Sequence, residues 1–225
     1  SPTEILEQLI KVHQHQLTRQ SLPDLMYEVQ WIPSDALAMD TEDAHHWLVF
    51  ASCERLGQGV VEQLHHNGQT STLVTLLDSD LPQENDHANT ALNPHSPAAF
   101  DRLWHQLTQV DPLDVAGILW LSSPDVDCIG ADSTASSLGT TVNEQCAQLL
   151  YLMQSLVNKP ELSHTKVWVV TQNGVALGPA LPAVEQAPLR GMSRIFGLEH
   201  PQQWGGLIDL ASETSILLKS QVLTS

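Results

Sequence analysis

The sequence predicts an α/β protein whose core is a parallel β-sheet of about five strands with helices on both faces. From residue 47 onward, short apolar segments alternate with helical segments of about ten residues or more. The apolar segments are nearly continuous, as in strands covered on both sides, and do not alternate like half-exposed strands. A chain of 225 residues is also long enough to bury the core that such a sheet requires.

The same segments define the order of the predicted elements. Strands are expected at residues 47–52, 71–77, 114–123, 166–172 and 205–210. Helices are expected at residues 53–68, 97–110, 142–158 and 189–200. The stretch before the second helix and the Ser, Thr and Gly-rich residues 130–141 are predicted as polar loops. Because a helix follows each strand but the last, the connections are expected to be right-handed crossovers.

Residues 1–22 are predicted as a linker or dimerisation helix outside the domain at 23–225. Apolar side chains recur there at helical intervals, at Ile5, Leu6, Leu9, Ile10 and Leu17. A helix of this length is marginally stable alone. The linker interpretation is therefore the simpler one, and self-association through this helix is the alternative.

The stretch "YEVQWIP", residues 27–33, is predicted as a separate docking strand. Its apolar residues alternate with polar ones, as in a half-buried strand, and an acidic loop divides it from the main sheet. An isolated strand leaves backbone donors and acceptors without partners. We therefore expect another protein segment to pair with Glu28, Val29, Gln30 and Trp31.

Composition narrows the classes of function. Nine Lys and Arg against 26 Asp and Glu give a formal charge of -17, which disfavours binding to nucleic acid or anionic lipid. No apolar run is long enough to span a bilayer and the first residues lack a secretion signal, so we expect a cytoplasmic protein. The three cysteines, Cys53, Cys128 and Cys146, are widely spaced and fit reduced thiols better than disulfides or a zinc site.

A Rossmann-type order of elements suggests a dinucleotide site, but the first βα unit matches the fingerprint poorly. Gly57 and Gly59 are followed by Glu62 where a third small residue is needed, and Asp78 ends the second strand. An acidic side chain at that place would repel a pyrophosphate. A degenerate nucleotide site in a divergent NADPH-binding reductase remains the alternative function.

Other catalytic and metal motifs are equally incomplete. Short-chain reductases need a tyrosine with a lysine or asparagine four residues later, whereas Tyr27 and Tyr151 are followed at that distance by Trp31 and Ser155. "GADST", residues 130–134, follows a strand and is interpreted as a loop, although it is similar to a phosphopantetheine acceptor site. The histidine pairs at 45–46 and 65–66 do not predict a metal site, because adjacent side chains on a strand point to opposite faces.

A longer motif does match a known family. "GMSRIFGLEHPQQWGGLIDL", residues 191–210, closely resembles a signature of the ketoreductase region of modular polyketide synthases. "YEVQWIP" resembles the opening strand of that region, and "VWVVTQNGVALG", residues 167–178, is similar to a later strand and loop. Asn173 and Val175 stand where the family often has Gly and Ala. Together these matches cover about residues 27 to 210.

The resemblance implies the N-terminal structural subdomain, a truncated Rossmann fold that has lost cofactor binding. The catalytic half, which carries the phosphate loop, the catalytic residues and NADPH, is not found in this sequence. No catalytic, cofactor or metal residue is therefore expected here, and the partners implied are a catalytic subdomain or adjacent synthase domains. The motif residues are then architectural: Gly191, Arg194, Glu199, His200, Pro201, Trp204, Gly205 and Gly206.

Within this motif we assign particular structural roles. Arg194 and Glu199 are expected to complete charge pairs and hydrogen bonds at the helix end, and His200 with Pro201 to end the helix. Gly205 and Gly206 are expected to allow close backbone approach where the strand begins.

Overall fold

The computed structural model describes residues 8, 11, 32, 45–77, 89–110, 115–122, 134–175 and 182–210. Packing divides the chain into two compact units, residues 1–37 and 38–225. In the first unit, Gln8 and Lys11 are helical and Ile32 is exposed. The predicted docking strand at 28–31 lies outside the described residues, and so does most of the predicted N-terminal helix.

The second unit contains one parallel six-stranded sheet. Its strands are β1 His46–Ala51, β2 Thr70–Leu76, β3 Asn89–Leu92, β4 Val115–Leu121, β5 Lys166–Gln172 and β6 Trp204–Leu210. They lie in the order β3-β2-β1-β4-β5-β6, and every neighbouring pair is parallel. This is the strand order of a doubly wound Rossmann sheet, with its change of direction between β1 and β4. The predicted fold class is confirmed.

The sheet has one strand more than the five that the sequence predicts. The additional strand is β3, whose four residues "NTAL" fall in a stretch predicted as polar loop. A segment this short carries no usable apolar pattern. Its place is decided by pairing, since Leu73 to Leu76 of β2 offer a parallel edge to all four residues.

Four α-helices connect the strands. They are α1 Glu54–His66, α2 Pro97–Val110, α3 Ala135–Val157 and α4 Ala187–Glu199, with short 3₁₀ helices at Pro160–Leu162 and Val184–Gln186. Helix α3 begins at residue 135, within the stretch predicted as loop. A capping box explains this start: the Ser137 amide donates to Thr134 Oγ1 at 3.1 Å and the Thr134 amide donates to Ser137 Oγ at 2.9 Å.

The core has one layer on each face of the sheet. On one face α2, α3 and α4 pack on the strands around Phe50, whose ring centroid lies 6.4 Å from that of Phe100 and 5.8 Å from that of Trp120. On the other face α1 places Leu56 and Val60 against the sheet. Helices on both faces leave the ends of the strands as the accessible edges of the sheet, where doubly wound folds bind ligands.

Candidate functional site

The turn from β1 to α1 is the place where a Rossmann fold holds a dinucleotide. Strand β1 ends at Ala51, only Ser52 and Cys53 intervene, and α1 begins at Glu54. In the dinucleotide fingerprint a glycine makes this tight turn, a second lets the backbone approach the pyrophosphate and a third packs the helix on the strand.

Gly57 occupies the third of these positions. A β-carbon on Gly57 would lie 2.6 Å from Leu73 Cδ1 and 2.9 Å from Ala51 Cβ, so this glycine lets α1 lie close to the sheet. The fingerprint spacing then places Ser52 and Glu54 at the first two glycine positions. The arrangement considered from the sequence, with Gly57 first, does not fit, because Gly57, Gly59 and Glu62 all lie inside α1. Asp78 is outside the described residues.

Glu54 determines the electrostatics of this turn. Its carboxylate lies in the first turn of α1, where the helix dipole favours an anion, and its Oε1 accepts a hydrogen bond from Gln58 Nε2 at 2.9 Å. A pyrophosphate would have to occupy the same electropositive helix end beside this carboxylate. The residues at the turn therefore do not fit a nicotinamide dinucleotide.

The histidine pairs do not form a metal site in the described part of the chain. No group of three or more His, Cys, Asp or Glu side chains converges there. His46 instead joins β1 to β2, with Nδ1 3.0 Å from Thr70 Oγ1 and Nε2 3.2 Å from Thr72 Oγ1. Burial lowers the pKa of His46 from its ordinary value. Within the described ranges, no helix is long and apolar enough to cross a membrane.

At the other side of the sheet, Asp209 of β6 organises the loop that follows β5. Its Oδ1 accepts from Thr171 Oγ1 at 2.6 Å and from the Gly174 amide at 2.9 Å, and its Oδ2 accepts from the Val175 amide at 3.0 Å. Arg190 of α4 adds a bond from Nη1 to the Gly174 carbonyl at 3.1 Å. Three donors on one carboxylate make a rigid turn.

Asn173 begins that turn with φ of +54°, in the left-handed region that favours glycine. Asparagine is one of the few other residues that tolerate this conformation. Its occurrence where the resembling family often has Gly is therefore compatible with the same backbone.

Helix α4 buries polar side chains that the sequence did not single out. Gln186, which precedes its first residue, and Ser193 are fully buried, and their side-chain polar atoms have no hydrogen-bond partner. With Arg190 they follow one another at helical spacing and share one side of the helix. Sequence reasoning missed them, because an amphipathic pattern assigns polar residues to the exposed side.

The signature motif contains residues with clear packing roles. Helix α4 ends at Glu199, and the His200 amide donates to the Phe196 carbonyl at 2.7 Å. A β-carbon on Gly197 would lie 2.8 Å from Trp204 Cδ1, and one on Gly205 would lie 2.5 Å from Trp168 Nε1. These glycines admit tryptophan rings against the backbone.

Arg194 and Glu199 do not make the charge pairs expected from the sequence. Both side chains are exposed, and in the described ranges neither takes part in an ion pair. They flank Ile195 and Leu198, whose side chains are 53% and 78% exposed. The outer face of α4 is thus an apolar patch with one cation and one anion at its margins.

This patch borders a groove between α3 and α4. We call it the α3–α4 groove; its apolar walls are Leu150, Met153 and Val157 of α3 and Met192, Ile195 and Phe196 of α4. The groove has a volume of about 450 Å³. A second cavity of about 240 Å³ shares Val157, Glu199 and His200 with it and extends toward Pro201.

Comparison with known proteins agrees with this geometry. Residues 29–224 match the family described as the Rossmann fold domain of the polyketide synthase extender module SpnB. A stretch of 78 residues is 42% identical to erythronolide synthase EryA3 of Saccharopolyspora erythraea and covers 32% of this chain but 2% of that synthase. A stretch of 77 residues is 40% identical to 6-methylsalicylic acid synthase of Aspergillus terreus and covers 34% of this chain and 4% of that protein. The chain thus spans a small fraction of these relatives.

Solved structures share the fold at low sequence identity. A multidomain structure with adenylation, ketoreductase and pseudo-Asub domains from a keto acid-selecting NRPS module matches with a TM-score of 0.65 and 17% identity, over 87% of this chain and 16% of that one. A C2-type ketoreductase from a modular polyketide synthase matches with a TM-score of 0.51 and 22% identity, over 80% and 35% of the two chains. The family match spans most of the sequence, and the resemblance to modular polyketide synthases is confirmed. The chain belongs to the family of Rossmann fold domains of polyketide synthase extender modules.

Proposed function

We propose that this chain is the noncatalytic structural half of a polyketide synthase ketoreductase region, which stabilises and positions a catalytic reductase half. The observation that carries the proposal is the turn from β1 to α1. It retains the glycine that packs helix on strand, Gly57, while Ser52 and Glu54 take the two places that contact a pyrophosphate. The fold is kept and the phosphate site is not.

The other motif residues support the same role. Asp209, Gly197, Gly205 and His200 act on backbone and packing partners within the domain. Tyr151 has Ser155 one turn later, and Ser155 accepts a hydrogen bond from Trp104 Nε1 at 2.9 Å. This pair joins α3 to α2 and supplies no proton donor for a carbonyl substrate.

Calorimetric titration of the purified chain with NADPH tests the proposal. We expect no saturable heat, because Glu54 occupies the helix end that a pyrophosphate would need. The full-length polypeptide that carries the chain serves as the positive control. Saturable binding to the chain with a roughly micromolar Kd, abolished by Ser52→Trp at the turn, would show instead a divergent reductase with its own nucleotide site.

A further inference from the structure

The outer surface of α3 and α4 has the composition of an interface. Four of the six large apolar side chains exposed in the described ranges belong to these two helices: Leu150, Val157, Ile195 and Leu198. Contiguous exposed apolar side chains with a polar margin mark binding surfaces in folded proteins.

Helix α4 is also polar on the wrong side for a helix that faces only water outward. Gln186 and Ser193 are fully buried without hydrogen-bond partners, whereas Leu198 is 78% exposed. An amphipathic helix of a free-standing domain has the opposite arrangement. A second protein surface over Ile195 and Leu198 would remove this mismatch on the outer side.

The shape of the surface indicates which structure binds there. Helices α3 and α4 both follow strands of one parallel sheet, so they run side by side in the same direction. The α3–α4 groove between them is open along its length, and two of its walls are the flexible side chains Met153 and Met192. A groove between two helices accepts the ridge of a third helix.

The charges disfavour a second copy of this chain as the occupant. Each copy carries a formal charge of -17, so two copies repel each other, although salt reduces this repulsion beyond about 8 Å. The margins of the patch carry Arg194 and Glu199, which are exposed and outside any ion pair of the described residues. Opposite charges on a different protein can pair with both.

We propose that the α3–α4 groove, with Ile195 and Leu198 at its margin, is the docking site for a helix of the catalytic reductase half. This inference rests on the proposed function and names the surface through which that function is exerted. The docked helix inserts apolar side chains between α3 and α4. It places an acidic group near Arg194 and a basic group near Glu199.

Photocrosslinking in the full-length polypeptide tests the contact directly. The photoreactive amino acid p-benzoylphenylalanine replaces Leu198 in one variant and Glu62, on the exposed surface of α1, in the control. Peptide mapping should join position 198 to a helix of the catalytic half, and position 62 should give no such product. A product joining two copies of this chain, or a yield at 198 no higher than at 62, would overturn the proposal.

A functional comparison uses substitutions of equal chemistry. Leu198→Asp should reduce ketoreduction by the full-length polypeptide about tenfold by weakening the docked state, whereas His66→Asp on α1 should leave it unchanged. Circular dichroism should show equal helix content in both. Unchanged ketoreduction in Leu198→Asp would contradict the docking site. NADPH binding by the isolated chain would instead contradict only the noncatalytic role, so the two failures can be told apart.

Discussion

Glycines of this chain differ in what surrounds them, and that difference can be measured residue by residue. Gly57 in α1 and Gly139 in α3 both lie within helices. The space beside Gly57 is filled by Leu73 and Ala51, whereas nothing lies within 4 Å of a β-carbon on Gly139. The same substitution should therefore have opposite effects at the two positions.

We expect Gly57→Ala to lower the free energy of unfolding by about 1–2 kcal/mol, because overpacking outweighs the better helix propensity of alanine. Gly139→Ala should raise it by about 0.5–1 kcal/mol, since only propensity changes there. Urea denaturation of the two variants and the parent chain measures both effects. Equal effects of the two substitutions would show that α1 is not held close to the sheet at Gly57.

Asp209 is the residue that the turn after β5 depends on most. Asp209→Ala removes the acceptor of three hydrogen bonds and leaves the Gly174 and Val175 amides without it, so we expect a loss of about 2–3 kcal/mol. Asp101→Ala is the control, because Asp101 forms only a surface ion pair with Lys159 at 3.9 Å, worth at most about 1 kcal/mol. Denaturant midpoints of the two variants distinguish them. A loss no greater than that of the control would contradict the role of Asp209.

At the scale of elements, hydrogen bonds between side chains on β1 and β2 give the sheet a dependence on pH. His46 bridges Thr70 and Thr72, and burial lowers its pKa from the model value of 6.5. Between the lowered pKa and 6.5 the unfolded chain binds more protons than the folded chain at this residue. The contribution of His46 to stability is therefore complete above 6.5 and declines as the pH falls through this window.

His46→Gln should remove that part of the pH dependence, while His66→Gln, at an exposed position, should retain it. Urea midpoints measured at intervals between about pH 5 and pH 8 give the comparison. If both variants follow the parent chain at every pH, His46 titrates alike in the folded and unfolded states.

The element scale also shows where local patterns sufficed. The strands β1, β2, β4, β5 and β6 have continuous apolar runs that predict them, because both their faces are covered. Strand β3 and the first turns of α3 lack such patterns. One forms because β2 offers it an edge, and the other because Thr134 and Ser137 cap each other.

At the scale of the whole molecule, one fold serves two separate regions. The switch point between β1 and β4 is where a Rossmann sheet binds its ligand, and here Glu54 stands at that turn. The exposed apolar surface lies elsewhere, on α3 and α4. A domain with this distribution keeps the Rossmann architecture and offers a helical surface in place of a nucleotide site.

The sequence by itself determined the fold class, the order of most elements and the family, because apolar periodicity and the motif at 191–210 are local properties of the chain. Only the tertiary structure decided which fingerprint position Gly57 occupies, since that depends on how closely α1 approaches Leu73. It also placed Arg194 and Glu199 on the surface and Gln186 and Ser193 inside. Burial of a side chain depends on which elements pack against its helix, and no local pattern encodes those partners.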